Sequence, residues 1–274
     1  MINIVCTSKP CDGLLYYSYE YCCYLNSIGV HTDLIIVTHP RFNKEDYFNA
    51  ITNKYGTFHN VIFNDFESQF TTLVLGRSMI TLPFLDRESY TMDQLLTLHI
   101  LFKNKIIAVY SENHTVEYLN ALSYFCPEEV IDLCDYDIYP LGKGAHFEKK
   151  IWFDIFKPIE RNLSFKYLLN GTNKDYYKAA RSVISKYKNH GIMIYDIGNI
   201  DTRYNNIIVP IDNLMGMFEF YVYTKKIIDP APRLIQECKY FKKEIIFENT
   251  NIGAEVYMKR DISKPNVEPI LNAI

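Results

Sequence analysis

The chain has no run of about 18 apolar residues, which excludes a membrane-spanning helix legible by hydropathy, and no basic stretch ahead of an apolar core opens it, so no secretory signal is read. Its seven cysteines, at 6, 11, 22, 23, 126, 134 and 238, form no CxxC pair and are odd in number. That spacing argues against a zinc site and a disulfide framework and suits reduced thiols in the cytoplasm. No metal-ligand set is read, and Cys22-Cys23 is expected as a buried pair on a helix. Low-complexity tracts and solenoid repeats are missing too. So is a dense basic strip, which a simple duplex-binding protein would need.

What is present is ample apolar material: 274 residues, 48% hydrophobic, enough for one large domain or two of ordinary size. The net charge of −3 conceals an asymmetry. Residues 1–140 carry 8 Lys+Arg against 17 Asp+Glu, a balance of −9, whereas residues 141–274 carry 21 against 15, a balance of +6. The halves read as two modules, with anion handling in the second.

Strands and helices alternate in both halves. Ile2–Cys6 reads as a buried strand, followed by the loop TSKPCDG, a helix through Leu25 ended by Gly29, and a strand over Thr32–Val37. Further strands are expected at Thr72–Leu75, Ile106–Tyr110 and near Glu129–Leu133. In SYTMDQLLTLHILFKN, Thr91 and Gln94 form a capping box, and Met92, Leu95, Leu96, His99 and Phe102 are expected on the buried face, with His99 as a packed core ring. PLGKGAHFEKK (140–150) reads as the start of a crossover between modules. The second half predicts strands at Phe165–Leu169, Ile192–Asp196, Ile207–Pro210, Phe218–Tyr223 and Glu244–Phe247, with helices at Lys174–Lys188 and Pro232–Lys243. Short loops between alternating elements imply two parallel-sheet α/β domains of doubly wound type. The boundary is set at 1–158 and 159–274, with the last segment free to pack back on the first domain.

Three constellations could carry chemistry. In LNGTNKDYYKAAR, Thr172 is placed to cap a helix with Asp175 three residues on, and Gly171 lets the backbone pass close to a ligand. Lys174 and Lys178 stand in the first turns, beside the free N–H groups that bind phosphate; the bland alternative is a solvated basic face. In DPAPRLIQE, Pro232 suits a first helical position, which puts Arg233 where the helix dipole disfavours a cation. A surface pair with Glu237 in the weaker order is worth only about 0.2 kcal/mol. A bound anion explains Arg233 better, with Glu237 facing ribose hydroxyls and Gly198, in IYDIGN, offering a further backbone approach. In IIAVYSENH, Glu112 follows a buried strand, where partial burial would raise a carboxylate toward general-base duty. Asp12 in the CDG loop and His114 compete for that role.

The order of these segments resembles GT-B glycosyltransferases, and more narrowly the T-even phage enzymes that glucosylate hydroxymethylcytosine in DNA. MINIVCTSKP, SIGVHTDLIIV and KNKIIAVYSE resemble the family's N-domain segments. YLLNGTNKDYYKAARSVISKY, GIMIYDIGN, IIVPIDNLMG and PRLIQE resemble its donor-binding segments, in the same order. The resemblance implies two Rossmann-like domains facing a cleft. It implies UDP-glucose as donor, with Val209 and Ile211 beside uracil, Glu237 on ribose, and Gly171, Lys178 and Arg233 around the diphosphate. Glu112 falls where the family places its catalytic aspartate, and DNA carrying modified cytosine would be the acceptor. A divalent ion, Mg2+ or Mn2+, would be optional. The family's arginines in the first C-domain helix are lysines or displaced here, which argues against a bidentate phosphate clamp on that helix. The chain's length is nearer the short members that add a second glucose to an already glucosylated base. Two other readings stand beside this one: transfer to a surface polysaccharide or other glycan, which suits the acidic first half, and a non-catalytic nucleotide or nucleic-acid binding module on a transferase scaffold. Oligomeric state is not legible.

Overall fold

The computed structural model describes residues 1–10, 12–64, 70–110, 115–171, 174–194, 213–226, 228–229 and 231–274, without the side chains of 174 and 175. The chain divides into two compact units, Met1–Ile155 with Ser263–Ile274, and Phe156–Ile262. Among the described residues no helix is long and apolar enough to cross a membrane.

The first unit runs β1 (Ile2–Cys6), α1 (Gly13–Ser27), β2 (Thr32–Ile36), α2 (Lys44–Tyr55), β3 (Val61–Phe63), β4 (Thr71–Val74), α3 (Ser78–Leu85), α4 (Met92–Lys103), β5 (Lys105–Val109), α5 (Thr115–Phe125), β6 (Glu129–Cys134) and β7 (Ala145–His146). Its seven strands are parallel in the order β3-β2-β1-β4-β5-β6-β7. Every residue of β1 is buried, as befits a central strand covered on both faces. The strand order reverses between β1 and β4, which makes their carboxyl ends a switch point. The stretch 140–150, expected only as a crossover, contributes β7, paired through Leu133–Ala145 and Cys134–His146.

Helix α4 starts where its capping box predicts, with Thr91 and Gln94 each accepting from the other's backbone N–H. Its buried face is different from the expected one. Gln94, Thr97, Leu98, Leu101 and Phe102 face inward, whereas Met92 and Leu96 are 79% and 58% exposed. Leu98, Leu101 and Phe102 are fully buried and fix that face, and the inward Gln94 amide is satisfied by donating from Nε2 to the Thr38 carbonyl at 2.8 Å. His99 is half-buried against Tyr124 and Phe125, with ring centroids 4.7 and 5.2 Å away. Of the cysteine pair on α1, Cys22 is buried and Cys23 only partly so.

The second unit runs β8 (Tyr167–Asn170), α6 (Lys174–Val183), β9 (His190–Met193), α7 (Leu214–Met217), β10 (Phe220–Tyr223), α8 (Arg233–Tyr240), β11 (Glu244–Phe247) and α9 (Ile252–Lys259). A final α10 (Glu268–Leu271) belongs to the first unit. The four strands are parallel in the order β11-β10-β8-β9. Leu169, Ala180, Val183, Tyr187, Ile192, Ile194 and Val222 form the core beneath α6. That helix is shorter than expected: it ends at Val183 and tightens into a 3-10 turn over Ile184–Lys186. The strand expected at Ile207–Pro210 lies outside the described residues.

Candidate functional site

The strand order of the second sheet reverses between β8 and β10, so a ligand of this unit would collect at the ends of those two strands. From β8 come Asn170, buried, and Gly171, whose N–H donates to the Met193 carbonyl at 2.8 Å. A Cβ on Gly171 would stand 2.6 Å from Ile192 Cγ2, so close packing on β9 already requires the glycine. From β10 come Tyr223, Thr224 and Lys225. Thr224 is fully buried, and its hydroxyl has no hydrogen-bond partner among the described residues. An orphaned buried hydroxyl costs roughly 1–3 kcal/mol, so a bound polar group there would be stabilising.

Lys225 is a half-buried cation of the site. It pairs with Asp229, four residues on, and its Nζ lies 4.1 Å from the Tyr176 ring centroid. Burial opposes its charge, but Asp229 and Tyr176 outweigh that and hold its pKa above the ordinary lysine range. Tyr223, which accepts a hydrogen bond from Asn251 Nδ2 at 2.7 Å, is pushed up by burial and by the Asp229 carboxylate. Gly253 sits directly against the Asp229 carbonyl, so α9 is pressed onto the 229 loop where a side chain would not fit. Asn170, Thr224, Lys225 and Asp229 were not singled out from sequence. The available signal was polar residues standing directly after buried strands, as in LLN and YVYTK.

Arg233 lies in the first turn of α8 as expected, but Pro232 stands just outside the helix as its cap and the helix ends at Tyr240, short of the expected Lys243. Its Nε lies 2.7 Å from Glu237 Oε1, with side-chain exposures of 11% and 3%. The i,i+4 pair is therefore made, and it is a buried pair instead of the surface pair the spacing suggested. Phe156 covers the guanidinium at 5.9 Å. Lys178 is exposed on the second turn of α6, and Lys174 begins that helix. Glu112, His114, Gly198, Val209 and Ile211 lie outside the described residues, so the expected base and the uracil contacts have no described geometry.

Asp12 is described, and it has a structural task. It caps α1, accepting from Leu14 N at 2.8 Å. Nearby strand ends of the first sheet are largely closed by their own bonds: Thr7 Oγ1 donates to the Met79 carbonyl at 2.9 Å, and the buried Lys149 donates to the Leu75 carbonyl at 2.7 Å. Arg77, just beyond β4, pairs with Asp132 at 2.6 Å and lies 3.8 and 4.1 Å from the ring centroids of Tyr110 and Tyr118. Tyr110 ends directly before the segment holding Glu112. At the end of β6, Asp135, Asp137 and His146 offer three ligand atoms within 4.8 Å of one another. Oxygen and imidazole donors of this kind suit Mn2+ or Zn2+ by chemistry, and the sequence reading had found no such set.

No protein-family model matches the chain, and no curated protein matches it.

Proposed function

We propose that the chain is an inverting, UDP-sugar-dependent hexosyltransferase of GT-B type, moving glucose from UDP-glucose onto glucosylated or plain 5-hydroxymethylcytosine in phage DNA. The observation that carries a nucleotide-sugar reading is the β8/β10 switch point, where an orphaned Thr224 hydroxyl stands next to a half-buried Lys225 that reaches Tyr176 in the first turn of α6. Backbone N–H groups at a helix start and a desolvated ammonium are the donors a diphosphate needs. DNA and glucose come from the ordered sequence resemblance.

In this reading the chemistry is one in-line displacement. The acceptor hydroxyl attacks the anomeric carbon, Glu112 takes the hydroxyl proton, the bond to the UDP oxygen breaks, and the configuration inverts. Lys225, Lys178 and the α6 amides stabilise the leaving diphosphate, and Glu237 holds the ribose. Glu237 would do so while paired to Arg233, which keeps its carboxylate oriented.

The test is mass spectrometry of nucleosides from hydroxymethylcytosine DNA and from glucosylated DNA, each incubated with enzyme and UDP-glucose. A gain of one hexose on either supports the reading, and a gain only on the glucosylated DNA identifies the acceptor. Glu112→Gln is expected to abolish transfer while UDP still binds; full activity in that variant would overturn the base assignment. The acid surplus of residues 1–140 favours a second reading, a neutral glycan acceptor. Acceptor binding that weakens steeply with salt indicates DNA, and indifference to salt indicates the glycan.

A further inference from the structure

The carboxyl end of β6 gathers donor atoms that the proposed transfer does not use. The chain leaves β6 at Cys134 into a turn in which Ile138 N and Tyr139 N donate to the Asp135 carbonyl at 3.1 and 2.8 Å, so Asp137 is brought back beside Asp135. Strand β7 runs parallel to β6 and sets His146 in register with Cys134, the residue before Asp135. That pairing depends on Gly144, at φ +96°, where a Cβ would stand 1.5 Å from the Asp132 carbonyl oxygen. The Tyr136 hydroxyl donates to the Gly144 carbonyl, and its ring stacks on His146 with centroids 5.7 Å apart. Turn, strand pairing and stacked ring together place one oxygen of Asp135, one of Asp137 and one ring nitrogen of His146 within 4.8 Å of one another.

A separate contact orients the imidazole as a ligand. Its Nδ1 faces the turn, 3.5 Å from Tyr136 N, while its Nε2 lies 3.7 Å from Glu148 Oε1. A carboxylate at one ring nitrogen keeps the proton there and leaves the other nitrogen a lone pair, the arrangement found behind metal-bound histidines. Glu148 is in turn paired with Lys150 at 3.2 Å, so its carboxylate is held from the other side. Three protein donors leave the remaining positions of a cation to water, as in an open divalent site. Donors around such an ion stand roughly 3 Å apart, so the group must close by about 1–2 Å. Asp137 and His146 are exposed and free to make that movement, with the buried Asp135 as the fixed member.

We propose that Asp135, Asp137 and His146 bind one divalent cation of the Mn2+ and Zn2+ class, with Glu148 as a positioning residue for the imidazole. The ion ties the edge strand β7 to the turn that follows β6. The site lies wholly in the first unit and stands independently of the activity proposed above.

Titration of the full chain with Mn2+, followed by electron paramagnetic resonance, tests it. Mn2+ is the probe because it seeks oxygen donors and avoids the chain's thiols, and Zn2+ is expected to displace it as the tighter ion. One equivalent is expected to bind with a dissociation constant below ~1 mM. Asp137→Asn and His146→Gln are expected to weaken binding by ~100-fold or more, and Glu148→Gln by about 10-fold, with Glu148→Asp recovering part of that loss. Hydrogen exchange on wild type needs no variant: peptides covering 134–147 gain protection when Zn2+ is added. Absence of saturable Mn2+ binding up to ~1 mM overturns the proposal. So does one-to-one binding that is unchanged in both Asp137→Asn and His146→Gln, in protein folded by circular dichroism. Unchanged binding in Glu148→Gln overturns its positioning role.

Discussion

Removing Arg233 should reveal how deeply its pair with Glu237 is buried. With side-chain exposures of 11% and 3%, the pair is close to fully desolvated. Breaking a buried pair by deleting one partner costs about 3–5 kcal/mol, because the other charge is left in a low-dielectric site. The same pair on a solvated helix surface is worth only ~0.2–0.5 kcal/mol. Arg233→Met is therefore expected to destabilise the second unit by about 3 kcal/mol, which for a unit of this size lowers its midpoint by roughly 10 °C or more. Arg233→Met/Glu237→Gln removes both charges and should recover much of that loss, giving a coupling of about 2 kcal/mol or more in a double-mutant cycle. The chain's single tryptophan, Trp152, lies in the first unit, so its fluorescence is the wrong probe. Hydrogen exchange in the β8–β11 peptides against urea reads the second unit directly. If both single variants and the double variant stay within ~0.5 kcal/mol of wild type, the pair is solvated and the reasoning fails. UDP titration of the same variants is a separate reading. Unchanged affinity in Arg233→Met would leave the start of α8 as a structural pair alone.

Other expectations follow from single sites. Burial pushes the Cys6 thiol up to about 12 and Cys134 up to about 11, and it raises Cys22 and Cys238 as well, whereas Cys126 is exposed. Site-resolved alkylation near pH 8 should modify Cys126 well before Cys6, Cys22 or Cys238, and the opposite order would contradict their burial. Hydrogen bonds from Lys186 and Tyr187 hold the Glu248 carboxyl below the usual glutamate range. A depressed folded pKa stabilises above the unfolded value and is lost as pH falls through the folded one. Glu248→Gln should therefore cost stability at pH 7, with the difference shrinking as pH falls through and below the usual glutamate range; a difference independent of pH would refute the assignment. Thr91→Ala removes the hydroxyl that accepts from Gln94 N and should cost ~1 kcal/mol in urea denaturation, whereas Thr91→Ser should cost little.

Local signals were read well where the chain itself supplies both partners of an interaction. The Thr91/Gln94 box and the strand at Ile2–Cys6 both depend on residues within a few positions of each other, and each is found in the structure. Alternation of buried strands with helices was enough for two parallel α/β sheets. Failures came where a distant residue set the outcome. Helix α4 buries Leu98 and Leu101 in place of Met92 and Leu96, and its inward Gln94 amide finds its acceptor on Thr38, 56 residues away. The two-residue strand β7 exists because Cys134 and Leu133 present an edge to it, and two residues have no period to read.

Residue identity alone determined that Arg233 begins a helix and that Glu237 lies one turn below it, because Pro232 and the i,i+4 geometry of a helix leave little else. Whether that pair is a weak surface contact or a buried charge couple was decided by the tertiary structure. The depth at which a helix packs controls the dielectric around its side chains, and depth is a property of every element that covers it. Switch-point grouping has the same origin. Asn170, Thr224 and Lys225 are more than fifty residues apart across the β8 to β10 step, and only the crossed strand order brings their ends to one place.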